Sequence, residues 1–200
     1  MSISYHTDPT DIGTTRLVLR LWTPDDLAAV RTGVRQRSWA ADFPSDGDRE
    51  IVEALAVRPE WLDRFGHRVV SERDSGLVVG SIGLFWPPAD GVLELGYGIV
   101  PSRRGRGYAT EATRALAEYA FTAPNVHTVS ASVELANPAS VRVLEKAGFA
   151  RVHTDGERAE FRMARSGRCF RTRTDDQKSV HWFSQLSRQP HGVAPHTAWW

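Results

Sequence analysis

The stretch 94–111, ELGYGIVPSRRGRGYATE, constrains this chain more than any other. An apolar strand pattern stops at Pro101, a basic turn follows, and a helical pattern starts at Tyr108. Gly105 and Gly107 remove side chains from the turn, so backbone N–H groups can converge on a ligand. The new helix brings its unpaired N–H groups and positive dipole end to the same place. Arg103, Arg104 and Arg106 add formal charge. Together these features describe a diphosphate cradle. The alternative is a tight connection chosen for packing. The stretch lacks Gly-Lys-Ser/Thr, so it is not a P-loop. The third glycine of a dinucleotide fingerprint is replaced by Thr110, and the turn lies too far into the chain for that motif.

The rest of the chain alternates strand and helix patterns. Leu17, Leu19 and Leu21 alternate with polar neighbours in a strand over 15–22. Thr23, Pro24 and Asp26 then predict an N-cap, a first-turn proline and a capping box. A second helix is expected to open at Asp48 and stop at Pro59. Segments 67–73 and 77–85 form a hairpin around Asp74-Ser75-Gly76. A strand over 92–100 leads into the cradle and the helix 108–121. A strand over 127–133, a helix from Ser140 to Ala147 stopped by Gly148, and a hairpin 149–165 complete the pattern. The expected fold is α/β (α+β): one mixed sheet of six to seven strands with helices on both faces.

Composition narrows the partners. The 200 residues carry 25 basic and 24 acidic side chains, a net charge of +1, which does not suit a general nucleic-acid binder. One cysteine, Cys169, excludes a disulfide framework and a cysteine zinc site; the seven histidines form no convincing ligand pair, so no metal is expected. The first residues lack a basic region followed by an apolar one, and no apolar run approaches a membrane span, so a cytoplasmic protein without membrane attachment is expected. Residues 1–13 read as an N-terminal arm and 14–165 as the folded domain. Residues 166–200 carry +3 against −2 for the rest and read as a partly disordered extension.

Downstream of the cradle stands NPASVRVLEKAGF, residues 137–149. With GYGIVPSRRGRGYATEA, in that order and at that separation, the chain resembles the GNAT superfamily of acetyl-CoA-dependent N-acetyltransferases. It is most similar to the branch that includes ribosomal-protein alanine N-acetyltransferases. TTRLVLRLWTPDD and VVGSIGLF also resemble that branch, so the resemblance covers about residues 14–165.

The resemblance implies a splayed central strand pair and acetyl-CoA as co-substrate. The pyrophosphate is expected on the turn and helix start, Arg104, Gly105, Arg106, Gly107, Tyr108, Ala109 and Thr110. The pantetheine arm is expected along Ile99 and Val100, with a backbone N–H near Val100 on the thioester carbonyl and Asn137 on the arm. Direct attack by a free amine needs a base, for which Glu94 is the candidate; the other reading of Glu94 is a strand-end carboxylate paired with an arginine. Ser140 is the candidate donor to the thiolate; the other reading is a helix-start cap. Trp39 and Phe43 are expected either to shape the acceptor pocket or simply to pack their loop.

The chain departs from the family pattern at Ser102, where many members carry Gln or Arg. It departs again at Leu144, where many carry a tyrosine acid. The acceptor is expected to be a protein or peptide N-terminal amine, or else a small amine such as an antibiotic or polyamine. A non-catalytic acyl-CoA-binding module is the reading from another class. The resemblance allows a monomer or a homodimer.

Overall fold

A computed structural model describes residues 10–165. In chain order the elements are β1 (Ile12–Gly13), β2 (Leu17–Leu21), α1 (Pro24–Thr32), α2 (Asp46–Val57), β3 (His67–Glu72), β4 (Val78–Leu84), β5 (Val92–Ile99), α3 (Tyr108–Ala120), β6 (Thr128–Glu134), α4 (Pro138–Ala147), β7 (Ala150–Thr154) and β8 (Arg158–Ala164). The strands make one sheet in the order β1-β2-β3-β4-β5-β6-β8-β7. It therefore has eight strands rather than six or seven; the addition is the two-residue β1, too short to leave a period in the sequence.

Local signals explain the helix ends. Thr23 caps α1 by accepting from the Asp26 N–H, and Asp26 returns the bond to the Thr23 backbone. Helix α2 starts earlier than expected. Ser45 is its N-cap, and Asp48 is the third helical residue of a second capping box. Ser45-x-x-Asp48 was the signal, and it outranks Asp48 as an opener.

Strand β4 is buried along its whole length. Ser81 reaches Asp48 of α2 from one face. On the other, Tyr97 of β5 reaches Ser140 of α4, and Arg68 of β3 lies 5.1 Å from the Tyr119 ring of α3. Helices therefore cover both faces, with the core between them and the sheet. Trp39 and Phe43 belong to that core, 4% and 2% exposed. Phe43 stacks on Trp22 at 6.2 Å and meets Trp39 edge-on at 5.2 Å. Arg35 holds their segment by donating to the carbonyls of Trp39, Ala40, Ala41 and Phe43.

All neighbouring strands are antiparallel except β5 and β6, which α3 connects. That parallel pairing covers only Val92–Glu94 against Thr128–Ser130, after which the strands diverge. The second half of β5 is paired with β4 but not with β6. The sheet therefore opens beside Tyr97–Ile99.

Candidate active site

A cleft of about 360 Å³ fills this opening. Tyr97, Gly98 and Ile99 form its strand wall. Arg103, Arg104, Gly105 and Gly107 supply the turn, and Tyr108, Ala109 and Thr110 the start of α3. Asn137, Ser140, Arg142 and Lys146 close it from α4. Most of the expected cofactor residues are thus brought to one place, although Arg104 and Asn137 are separated by a helix and a strand in the chain.

Two glycines shape the turn. Gly105 and Gly107 have φ of +76° and +78°, which side-chain-bearing residues rarely adopt. Gly107 is the N-cap of α3, and no side chain occupies the capping position. The first N–H groups of α3 are therefore presented to the cleft with the positive end of the helix dipole. Arg104 and, one helical turn apart, Arg142 and Lys146 add positive charge to the walls. The last two escaped the sequence reading; their spacing of four on an amphipathic helix was the available signal. Arg106 lies outside the cleft walls, and its carbonyl accepts from Arg16 at 2.8 Å. Ser102 donates its N–H and hydroxyl to the Asp42 carboxylate, at 2.8 and 2.7 Å.

One expectation needs correction. The Val100 N–H donates to the Val79 carbonyl at 2.9 Å, inside the β4–β5 ladder, and so faces away from the cleft. Backbone direction alternates along a strand, which turns the amides of Tyr97 and Ile99 toward the opening. The Ile99 carbonyl already accepts from Arg104 Nε at 2.9 Å from that side.

On α4, Asn137 is the N-cap and accepts from the Ser140 N–H at 3.1 Å. Ser140 is therefore the recipient of the cap rather than the cap. Its carbonyl accepts from the Tyr97 hydroxyl at 3.2 Å. Tyr97 thus ties the strand wall to the helix wall, a role that its place on an apolar strand conceals in the sequence. Leu144 is fully buried.

Glu94 lies on the opposite sheet face from Tyr97, in line with Gly96 and Gly98, at the last paired position before the splay. It lines neither the cleft nor the cavity described next. Burial pushes its carboxyl up to about 7; Arg158 opposes the shift and Glu160 adds to it. A carboxylate tuned in this way is suited to accept a proton near neutral pH.

A second, small cavity of about 20 Å³ lies under the start of α2. Asp48, His67 and Ser81 line it, over a floor that includes Gly96 and Gly98. Tyr97 and Gly98 belong to the walls of both spaces, so β5 separates them by one strand thickness. Trp39 and Phe43 line neither. Among the described residues, no cluster of His, Cys, Asp and Glu could hold a metal ion, and no helix is long and apolar enough to cross a membrane.

The pattern of the Acetyltransferase (GNAT) domain family matches residues 16–150. The probable N-acetyltransferase YjcK of Bacillus subtilis is 32% identical over 57% of this chain. The uncharacterized N-acetyltransferase YjdG of the same organism is 31% identical over 52%. The match spans 62% of the length of each of these relatives. An acetyltransferase from Agrobacterium tumefaciens shares the fold with a TM-score of 0.58 and 27% identity, covering 82% of this chain and 99% of the other. The aminoglycoside acetyltransferase AAC(6')-Ib, solved with coenzyme A, has a TM-score of 0.52 at 23% identity, covering 74% of this chain and 95% of the other. With the splayed strand pair and its glycine-capped helix already in place, the family match establishes that this chain belongs to the GNAT acetyltransferase family.

Proposed function

We propose that this protein transfers an acetyl group from acetyl-CoA to a primary amine by direct attack in a ternary complex. The observation that carries the reading is the meeting of two spaces at Tyr97 and Gly98. One is a cationic cleft with a helix start that no side chain caps; the other is a small cavity with Asp48, His67 and Ser81 among its lining, on the opposite sheet face. The residues present suit acetyl-CoA, which supplies an activated thioester. The N–H groups of Tyr108, Ala109 and Thr110, with Arg104, Arg142 and Lys146, hold its phosphates. The exposed edge of β5 holds the pantetheine amides as an added strand would. The Ile99 N–H is directed to that edge and is the backbone donor nearest to the position first expected of Val100.

Glu94 takes a proton from the acceptor ammonium, directly or through a water. The neutral nitrogen then forms the C–N bond to the thioester carbon. The C–S bond breaks, the nitrogen gives up its second proton, and the leaving thiolate receives a proton with help from the Ser140 hydroxyl on the cleft wall. The products are an N-acetyl amine and CoA.

The sequence resemblance points to a protein or peptide N-terminal amine as acceptor, whereas the buried Asp48 carboxylate in the small cavity favours a small amine. Calorimetric titration with acetyl-CoA, followed by CoA release with short peptides and small amines, tests both. One-to-one binding with release supports transfer. Binding with no release from any amine supports the non-catalytic reading. Absence of binding overturns the cofactor assignment.

A further inference from the structure

The cavity under α2 is an unusual place for polar groups. His67 is 2% exposed, and among the described residues its Nε2 has no hydrogen-bond partner. The ring is held from two sides, 5.3 Å from Trp61 and 5.1 Å from Phe85. It also lies on Gly83, where an added Cβ would stand 2.1 Å from Nδ1. The ring therefore cannot swing to find a partner elsewhere. Burial lowers its pKa to about 3, so it is neutral at physiological pH.

Asp48 stands in the same wall, 2% exposed. One carboxylate oxygen accepts from the Ser45 N–H and hydroxyl, at 2.8 and 2.6 Å. The other accepts from the Ser81 hydroxyl and keeps room for a further donor. Ser81 spends its proton on Asp48, so its own lone pairs remain to accept. Among the described residues, no lysine or arginine lines the cavity. Three groups able to accept a hydrogen bond thus belong to the lining: the second Asp48 oxygen, Ser81 Oγ and, in either neutral tautomer, one imidazole nitrogen of His67. A space of about 20 Å³ admits one water-sized group. An ammonium matches the space in size, in charge and in its three N–H donors.

We propose that this cavity holds a second, non-reacting ammonium of the acceptor, with Asp48, Ser81 and His67 as its ligands, and that the preferred acceptor is therefore a small diamine or polyamine. The reacting nitrogen must lose its proton to attack, whereas this cavity stabilises the protonated form. One nitrogen cannot serve both purposes, so the guest is a different amine of the same molecule. Gly96 and Gly98 add no side chains to the floor of this cavity. The proposal rests on the acetyl-transfer reading above.

The test uses the full chain and 1,4-diaminobutane as probe, with 1,4-butanediol as its neutral counterpart. The His67 imidazole resonances, assigned with His67→Gln, are followed by NMR during titration. A saturable shift with the diamine alone is expected, and Ser81→Ala should weaken it at least threefold. No shift, or an equal shift with the diol, overturns the proposal. In turnover, 1,4-diaminobutane should exceed 1-aminobutane and an alanine-initiated peptide at least tenfold in kcat/KM. Asp48→Asn should erase that preference and leave the KM for acetyl-CoA unchanged. A wild-type enzyme that releases CoA without preferring the diamine overturns the proposal alone. Failure to bind acetyl-CoA overturns the acetyl-transfer reading beneath it.

Discussion

Arg16 and Glu111 join the first long strand, β2, to α3. The guanidinium Nε donates to one carboxylate oxygen at 2.7 Å, and the Arg16 backbone N–H donates to the other at 2.8 Å. Thr14 adds its hydroxyl at 2.6 Å. Arg16 also donates to the Arg106 carbonyl and lies 5.0 Å from the Tyr108 ring centre. One side chain thereby fixes both the cradle turn and the residue that starts α3.

Removing Glu111 should therefore cost more than removing Arg16. Glu111→Ala leaves the Thr14 and Arg16 donors without their acceptor, a loss of about 1–3 kcal/mol. Arg16 is half exposed, and its ionic share is screened, so Arg16→Ala should cost about 1 kcal/mol or less. Denaturant unfolding of both variants checks the order. Both should also weaken acetyl-CoA binding, because the turn loses its brace.

The same carboxylate sets an acid limb in stability. Burial raises its pKa, but Thr14 and Arg16 outweigh that and hold it below the ordinary 4.5. A depressed carboxyl contributes stability above its unfolded pKa and loses it as pH falls through the folded value. Wild type should therefore lose stability below about pH 4.5 by more than Glu111→Gln does. Melting curves from pH 3 to 7 (a range set by the ordinary carboxylate values) decide it.

Glu94 should set the pH profile of turnover. Its carboxyl is pushed up to about 7, chiefly by burial, and only the ionised form accepts a proton. kcat/KM should rise through about pH 7 and level off above it. Glu94→Gln should lower kcat by about 10²–10⁴ and abolish that limb. The KM for acetyl-CoA should not change, because Glu94 lies outside the cleft walls. A Glu94→Gln enzyme that keeps the limb would remove Glu94 from the base role.

The two turn glycines should respond differently. Both need a positive φ, so alanine at either should cost about 1 kcal/mol in backbone strain. A Cβ at Gly105 meets nothing within 4 Å, whereas one at Gly107 comes to 3.4 Å from Arg16 Nη2. Gly107 is also the N-cap of α3, so Gly107→Ala should raise the Kd for acetyl-CoA more than Gly105→Ala does. Calorimetry on the pair measures the difference.

The bond from Ser102 to Asp42 should control the neighbouring segment. Ala40 N–H and the Val78 carbonyl pair at 2.9 Å beside the end of β4, and Asp42 follows two residues later. Asp42→Ala should speed hydrogen exchange at Ala40 severalfold while global stability changes by about 0.5 kcal/mol or less. Equal exchange in both proteins would show that Arg35 alone holds the segment.

Much of this molecule is legible in its sequence because the signals are local. Thr23-x-x-Asp26 fixes the start of α1, since both partners of the capping box lie within one turn. Gly105 and Gly107 announce the left-handed turn because only glycine adopts it without strain. Gly148 reveals the end of α4, but the helix starts at Pro138, two residues before the Ser140 expected, because Asn137 is its cap. What the sequence could not decide depends on direction and register. Whether Val100 or Ile99 turns its N–H to the cleft depends on which residues the β4 ladder takes, a one-residue choice with no trace in side-chain pattern. Trp39 and Phe43 enter the core because Trp22 lies behind them, a contact made across an irregular segment. Asp48, His67 and Ser81 come from a helix and two strands and meet only when α2 packs on the sheet. Local chemistry wrote the elements and the glycine turn; packing between distant segments chose which polar groups share a buried space, because burial depends on neighbours that no short stretch of chain contains.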